Sequence, residues 1–206
     1  TRYGYARPCQ RIEIIEASHP VPDSAGVSAT RRLLEIAHEL GAADTVVMLI
    51  SGGGSALLCA PADGITLTDK QSLSDGMLAS GMPISDINAI RKELSAVKGG
   101  RLAAAIYPAK LYALLISDVP GDDPSDIASG PTVGYVGDAA RAILTLESWG
   151  LVPPVATAAF LVAGGNPMAA DDFRLFGVEN VIIAAPSQSL AAAADIAKMA
   201  GVCRTG

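Results

Sequence analysis

The chain has 206 residues, half of them apolar and 17% charged, which suits one large α/β domain or two small ones. Its net charge is −6 and no basic run is dense enough to follow a phosphate backbone, so nucleic acid is not an expected partner. Gly and Pro are spread along the chain, which argues against disorder, and every apolar run is cut short before a membrane span is reached, so no membrane partner is expected either.

Three cysteines, Cys9, Cys59 and Cys203, form no Cys-x-x-Cys pair. Neither a disulfide framework nor a zinc site follows, and the expected compartment is a reducing cytoplasm. The chain opens at Thr1 without Met and stops just after a helical pattern, so it reads as an internal piece of a longer protein.

In chain order, residues 11–16 alternate apolar and polar, which predicts a half-buried or edge strand. Asp23 or Ser24 can cap a helix running to about Leu40, with Leu33, Leu34, Ala37 and Leu40 at helical spacing. Residues 45–50 form a short apolar run, the pattern of a strand buried on both faces of a parallel sheet. Thr68 with Gln71 predicts a capping box for a helix reaching about Ala79. Helices over 85–96 and 100–107 and a strand over 111–117 follow, then a loop over 118–132 whose length points to function. A helix over 138–149, the pair Pro153-Pro154, a strand over 181–185 and an Ala-rich helix over 187–200 complete the chain. Strands alternating with helices predict a three-layer, Rossmann-like α/β domain with a mostly parallel sheet.

Two segments sit just past the carboxyl end of a predicted strand, the edge where open α/β sheets bind ligands. In Ser51-Gly-Gly-Gly-Ser55, the residues Gly52, Gly53 and Gly54 let backbone N–H groups approach an anion, and Ser51 and Ser55 add hydroxyl donors. A tight turn that needs positive φ is the competing reading. In Asp118-Val-Pro-Gly-Asp-Asp-Pro124 the carboxylates of Asp118, Asp122 and Asp123 suit Mg²⁺ or a general base, although Asp, Pro and Gly also dominate ordinary turns. Between them, Arg91, Lys92, Lys98 and Arg101 crowd one stretch, with Arg91 and Ser95 spaced to share a helix face. Either this is a solvated face, or Arg91 and Lys98 turn inward toward phosphate or carboxylate. His19, beside prolines, reads more readily as structural.

His19-Pro-Val-Pro-Asp23, Ser51-Gly-Gly-Gly-Ser-Ala-Leu57, Ile87-Asn-Ala-Ile-Arg91, Lys98-Gly-Gly-Arg-Leu-Ala103, Ser117-Asp-Val-Pro-Gly-Asp-Asp-Pro124 and Ile127-Ala-Ser-Gly-Pro-Thr132 together resemble the glycerate 2-kinases. This group carries a C-terminal MOFRL domain, and its members are often labelled hydroxypyruvate reductase. The resemblance implies ATP- and Mg²⁺-dependent phosphorylation of D-glycerate to 2-phosphoglycerate in a cleft between two α/β domains, a homodimer being one open assembly state. By that analogy residues 1–206 are most of the N-terminal domain, and Ser51, Gly52, Gly53, Gly54, Ser55, Asn88 and Ser129 hold phosphate or substrate. Arg91 and Lys98 stabilise charge, Asp118 is a base or metal-linked carboxylate, and Asp122 and Asp123 are the metal candidates.

The sequence departs from the family pattern at Val133-Gly-Tyr-Val-Gly-Asp138. The family's Gly-Lys-Ala segment and its MOFRL domain fall outside this chain, so the piece alone is expected to be inactive as a kinase. An NAD(P)H-dependent hydroxypyruvate reductase is the runner-up, weakened by the lack of a Gly-x-Gly-x-x-Gly fingerprint. A non-catalytic sugar-acid or nucleotide-binding module is the third reading, since fold does not dictate function.

Overall fold

The computed structural model describes residues 1–166 and 168–202. Three strands, β1 (Thr45–Ile50), β2 (Lys110–Ile116) and β3 (Val178–Ala184), form an open, wholly parallel sheet in the order β1-β2-β3. Thr45 pairs with Lys110 and Ile50 with Leu115, while β3 runs from the Leu111–Val178 pair to a register shift beside Ile116. Parallel strands need long crossovers. The first carries α2 (Gly54–Leu57), α3 (Leu67–Ala79), α4 (Ile84–Glu93) and α5 (Arg101–Ile106). The second carries a 3-10 turn (Ile127–Ser129), α6 (Ala139–Ser148) and α7 (Val155–Val162). Helix α1 (Ser24–His38) precedes the sheet and α8 (Pro186–Met199) follows it. The α/β class and the parallel sheet read from the sequence are therefore the architecture of the molecule.

Several local expectations are corrected. Residues 11–16 pair with no strand; beside them Ala17 makes an isolated bridge to Arg2, and the Glu16 carboxylate accepts the N–H groups of Tyr5 and Ala6. The capping box of α3 is Thr66 with Asp69, because Thr66 has the extended backbone an N-cap needs while Thr68 already lies inside the helix. Gln71 instead donates to the Pro22 carbonyl at 2.8 Å, tying α3 to the segment that carries His19. Helix α4 stops at Glu93, short of 96: the Leu94 carbonyl is taken by the Lys70 ammonium and the Ala62 N–H, and the Ser95 hydroxyl accepts from the N–H groups of Val97 and Lys98. Helix α7, unforeseen behind Pro154, packs against α6 and buries Leu161.

Burial on β1 alternates. Val46, Met48 and Ile50 face the helices with Leu111, Ala113 and Leu115 of β2, whereas Val47 and Leu49 remain 60% and 75% exposed. The run read as buried on both faces is covered on one among the described residues. A helical core of Leu73, Met77, Ile87, Ile90, Leu146 and Leu161 lies apart from a second core that seats α5 on the sheet. A third, smaller core positions the site: Ile50, Ala113 and Leu115 at the carboxyl ends of the strands pack on Ile127 and Ala128 of the 3-10 turn. Among the described residues no helix is long and apolar enough to cross a membrane. Cys59 is buried and Cys9 exposed, and Cys203 lies outside the described residues.

Candidate active site

The glycine loop follows β1 directly, and its glycines have separate reasons to be there. Gly53 has φ +84° and starts α2, a conformation few side chains tolerate. A Cβ on Gly52 would run into the Asp118 carboxylate, and one on Gly54 would lie 2.6 Å from the Ala128 Cβ. The turn reading thus accounts for one glycine, and close approach of two loops accounts for the others. Gly54→Ala should push the 3-10 turn away and cost about 1–3 kcal/mol, as overpacking does; urea unfolding measures it, and an unchanged midpoint would contradict the contact.

Asp118 follows β2 after one residue, and its carboxylate faces a cavity of about 420 Å³ that Gly52, Gly53, Leu57, Tyr5 and His19 also line. The His19 ring lies over Gly53, 3.5 Å from where its Cβ would be. His19, which reads by itself as structural, lines this cavity; its signal in the sequence is its place in the His-Pro-Val-Pro-Asp motif. Among the described residues no hydrogen bond engages the Asp118 carboxylate. Asp122 differs: it accepts from Ser187 at the start of α8 at 2.8 Å, and hydrogen bonds from Ser117 and Ser187 hold its carboxyl below the usual carboxylate range. Asp123 accepts the Ser125 N–H at 2.8 Å. Both tie the loop to itself or to α8.

Among the described residues no three His, Cys, Asp or Glu side chains gather as a metal cage. The free Asp118 carboxylate at the edge of an open cavity fits a Mg²⁺ ion, which keeps most of its waters and rests on one or two carboxylates and a phosphate.

On the other side of the glycine loop, the Ser129 hydroxyl donates to Asn88 Oδ1 at 3.1 Å and lies 2.9 Å from the Ser55 hydroxyl. With its single proton committed to Asn88, Ser129 accepts from Ser55. Lys98 Nζ donates to the Ala128 carbonyl at 3.2 Å. Ala128 and Ser129 have φ +53° and +63°, two successive non-glycine residues in the left-handed region, a strain that marks functional turns. Buried Ile127 and the N–H groups of Gly99 and Gly100, which donate to the Ser129 and Gly130 carbonyls, hold them there. Ser51, Gly52, Gly54 and Ala128 line an adjoining cavity of about 450 Å³.

Arg91 is 8% exposed and Lys98 1%, so both turn inward and the solvated-face reading is set aside. Arg91 and Ser95 share no helix face, because α4 has already ended. Burial, and next the charge of Lys70, holds the Lys98 ammonium well below its ordinary range; burial likewise lowers Arg91. Lys92 pairs with Asp126 at 3.3 Å and lies 5.0 Å from the centre of the Tyr135 ring. Tyr135 belongs to the atypical 133–138 segment, which packs tightly on the Lys98-Gly-Gly-Arg101 turn: a Cβ on Gly100 would come within 3.0 Å of the Gly134 backbone.

An open parallel sheet with a glycine loop and an aspartate loop at the carboxyl ends of its strands makes this a Rossmann-like α/β protein with a polar cleft at the sheet edge. The chain belongs to the family described as domain of unknown function DUF4147, whose model matches residues 1–161. A protein of Agrobacterium vitis that carries a hydroxypyruvate reductase name is 50% identical over 98% of this chain and 46% of its own length. The D-glycerate 2-kinase of Thermotoga maritima is 45% identical over 73% of this chain and 36% of its own. A crystal structure of glycerate kinase from Thermotoga maritima superposes with a TM-score of 0.83 at 39% identity, covering 98% of this chain and 47% of that one. The chain thus spans about half the length of these relatives.

Proposed function

We propose that this chain forms the N-terminal part of a glycerate 2-kinase, which transfers a phosphoryl group from ATP, with Mg²⁺, to the 2-hydroxyl of D-glycerate. The observation that carries this reading is the pairing of a free carboxylate, Asp118, with a glycine loop that packs on Ala128, whose carbonyl the buried Lys98 holds. Phosphoryl transfer asks the protein for positioning and charge and for little covalent chemistry. The names of the kinase relatives support the substrate.

In this reading Asp118 accepts the proton of the substrate hydroxyl or holds the metal ion, which would neutralise charge between phosphates. Gly52 and Gly53 let the main chain approach the ligand, and Ser55, Ser129 and Asn88 hold the 3-10 turn against that loop. Arg91 and Lys98 stabilise the charge that gathers on the transferring group. Asp122 and Asp123 shape the loop and remain secondary metal candidates.

The test is to incubate the full-length protein with D-glycerate, ATP and Mg²⁺ and to identify the product by phosphorus NMR. A 2-phosphoglycerate signal is expected. The 3-phospho isomer would overturn the assumed pose, and NADH oxidation on hydroxypyruvate with no phosphorylated product would establish a reductase instead.

A further inference from the structure

Five cations are buried around the carboxyl end of α4: Lys70, Arg91, Lys92, Lys98 and Arg101. Two have carboxylate company, Lys92 with Asp126 and Arg101 facing Glu93. The other three have none among the described residues. Lys70 and Lys98 donate to neutral carbonyls, those of Leu94 and Ala128, at 3.1 and 3.2 Å. The groups whose charge bears on Lys70 are Cys59, Arg91 and Arg101; on Lys98 they are Lys70, Cys59, Arg91 and Lys92. Apart from other cations, only the buried Cys59 thiol stands among these groups.

Burying charge without a counter-charge is expensive, and a chain with 21 Asp and Glu residues against 15 Lys and Arg has no general shortage of partners. The deficit is local. It lies against the 3-10 turn, whose Ala128 both accepts from Lys98 and lines the cavity beside the glycine loop. Lys70 and Arg91 keep 6% and 8% of their surface exposed, against 1% for Lys98.

We propose that Lys70 joins Arg91 and Lys98 in one oxyanion site behind the glycine loop, whose missing counter-charge is supplied by a carboxylate or phosphoryl group of a small bound ligand. The site rests on the kinase reading for which of the two it receives in catalysis, since D-glycerate brings a carboxylate and its phosphorylated product brings both. Its existence as an oxyanion site needs only the three cations.

The same burial that lowers the Lys70 and Lys98 ammonium groups makes a distinctive prediction. An arriving anion favours their charged forms, so binding should take up protons. The experiment is calorimetric titration of the protein with inorganic phosphate and, separately, with D-glycerate, each in two buffers of different ionisation heat. Wild-type protein is expected to bind at least one of them with proton uptake. Lys70→Met should weaken that binding roughly tenfold or more, the scale of a lost charged hydrogen bond, and reduce the uptake. A Lys70 that merely braces the Leu94 carbonyl would change the melting temperature and leave affinity and proton uptake alone, which overturns the proposal. So would a wild-type protein that binds neither probe.

If Lys70→Met does not fold, the wild-type protein suffices. Its Lys70 and Lys98 side-chain nitrogen resonances should move on titration with the probe that binds, and stationary resonances would refute the site. Binding of phosphate alone assigns a phosphoryl subsite, and binding of D-glycerate alone a carboxylate subsite. Oxyanion binding without any phosphorylated product in the kinase assay would sink the kinase reading and leave this one standing.

Discussion

Replacing Asp118 by Asn in the full-length protein should lower kcat by about 10²-fold or more, the scale for removing one electrostatic or proton-accepting group from a reaction centre. The loss should come without unfolding. Asn has nearly the same shape, and among the described residues the Asp118 carboxylate makes no hydrogen bond that the fold would miss. A melting curve beside the kinetic assay separates the two effects. Gly52→Ala is the companion variant, because it leaves the carboxylate in the sequence and displaces it in space: the added methyl would collide with the Asp118 oxygen. Both variants should lose turnover if position matters as much as charge. Near-wild-type kcat in Asp118→Asn would remove this residue from the reaction.

Lys98→Met should also lose about 10²-fold or more in turnover, with the opposite signature in stability. Lys98 is 1% exposed and faces no carboxylate among the described residues, and replacing such a buried charge by an apolar group of similar length is often neutral or stabilising. The sign with pH follows from proton binding. The folded Lys98 ammonium is held well below the ordinary 10.5, so between its folded and unfolded values the unfolded chain binds more protons. Stability therefore rises with pH across that window and is lost as pH falls through the folded value. Lys98→Met should flatten this slope in part, since Lys70 is lowered by the same burial and keeps its own contribution. Urea unfolding of both proteins at pH 7 and pH 9 measures it. A variant less stable than wild type, with the slope intact, would mean that the buried amine braces the Ala128 turn and has no charge to give up.

The cleft at the sheet edge is thus built from a compromise visible in individual residues. Lys98 and Arg91 occupy buried positions where an aliphatic side chain would cost less, and Ala128 and Ser129 adopt a backbone better suited to glycine. Such local departures from the easiest folding solution are where function is expected to sit.

Much of this was legible from sequence because it depends on neighbours in the chain. Apolar runs over 45–50 and 111–117, separated by helical patterns, determined a parallel α/β sheet, and chain order alone put the glycine and aspartate loops at strand ends. Motif order was enough to suggest the family. Tertiary structure decided whatever depends on residues far apart. Arg91 and Lys98 read equally well as a solvated face, and it is the packing of α4 and of the turn after it that buries both. The Ser55–Ser129 contact joins residues 74 positions apart, and no periodicity encodes it. His19 lines the cavity because the chain lays its ring over Gly53, and the capping box falls at Thr66 because that backbone is extended where the helix begins. Hydrophobic pattern and propensity act over one or two turns, which is enough to set the elements and their order. A hydrogen bond or a buried charge finds its partner only when the packed core has brought the two segments within a few ångströms.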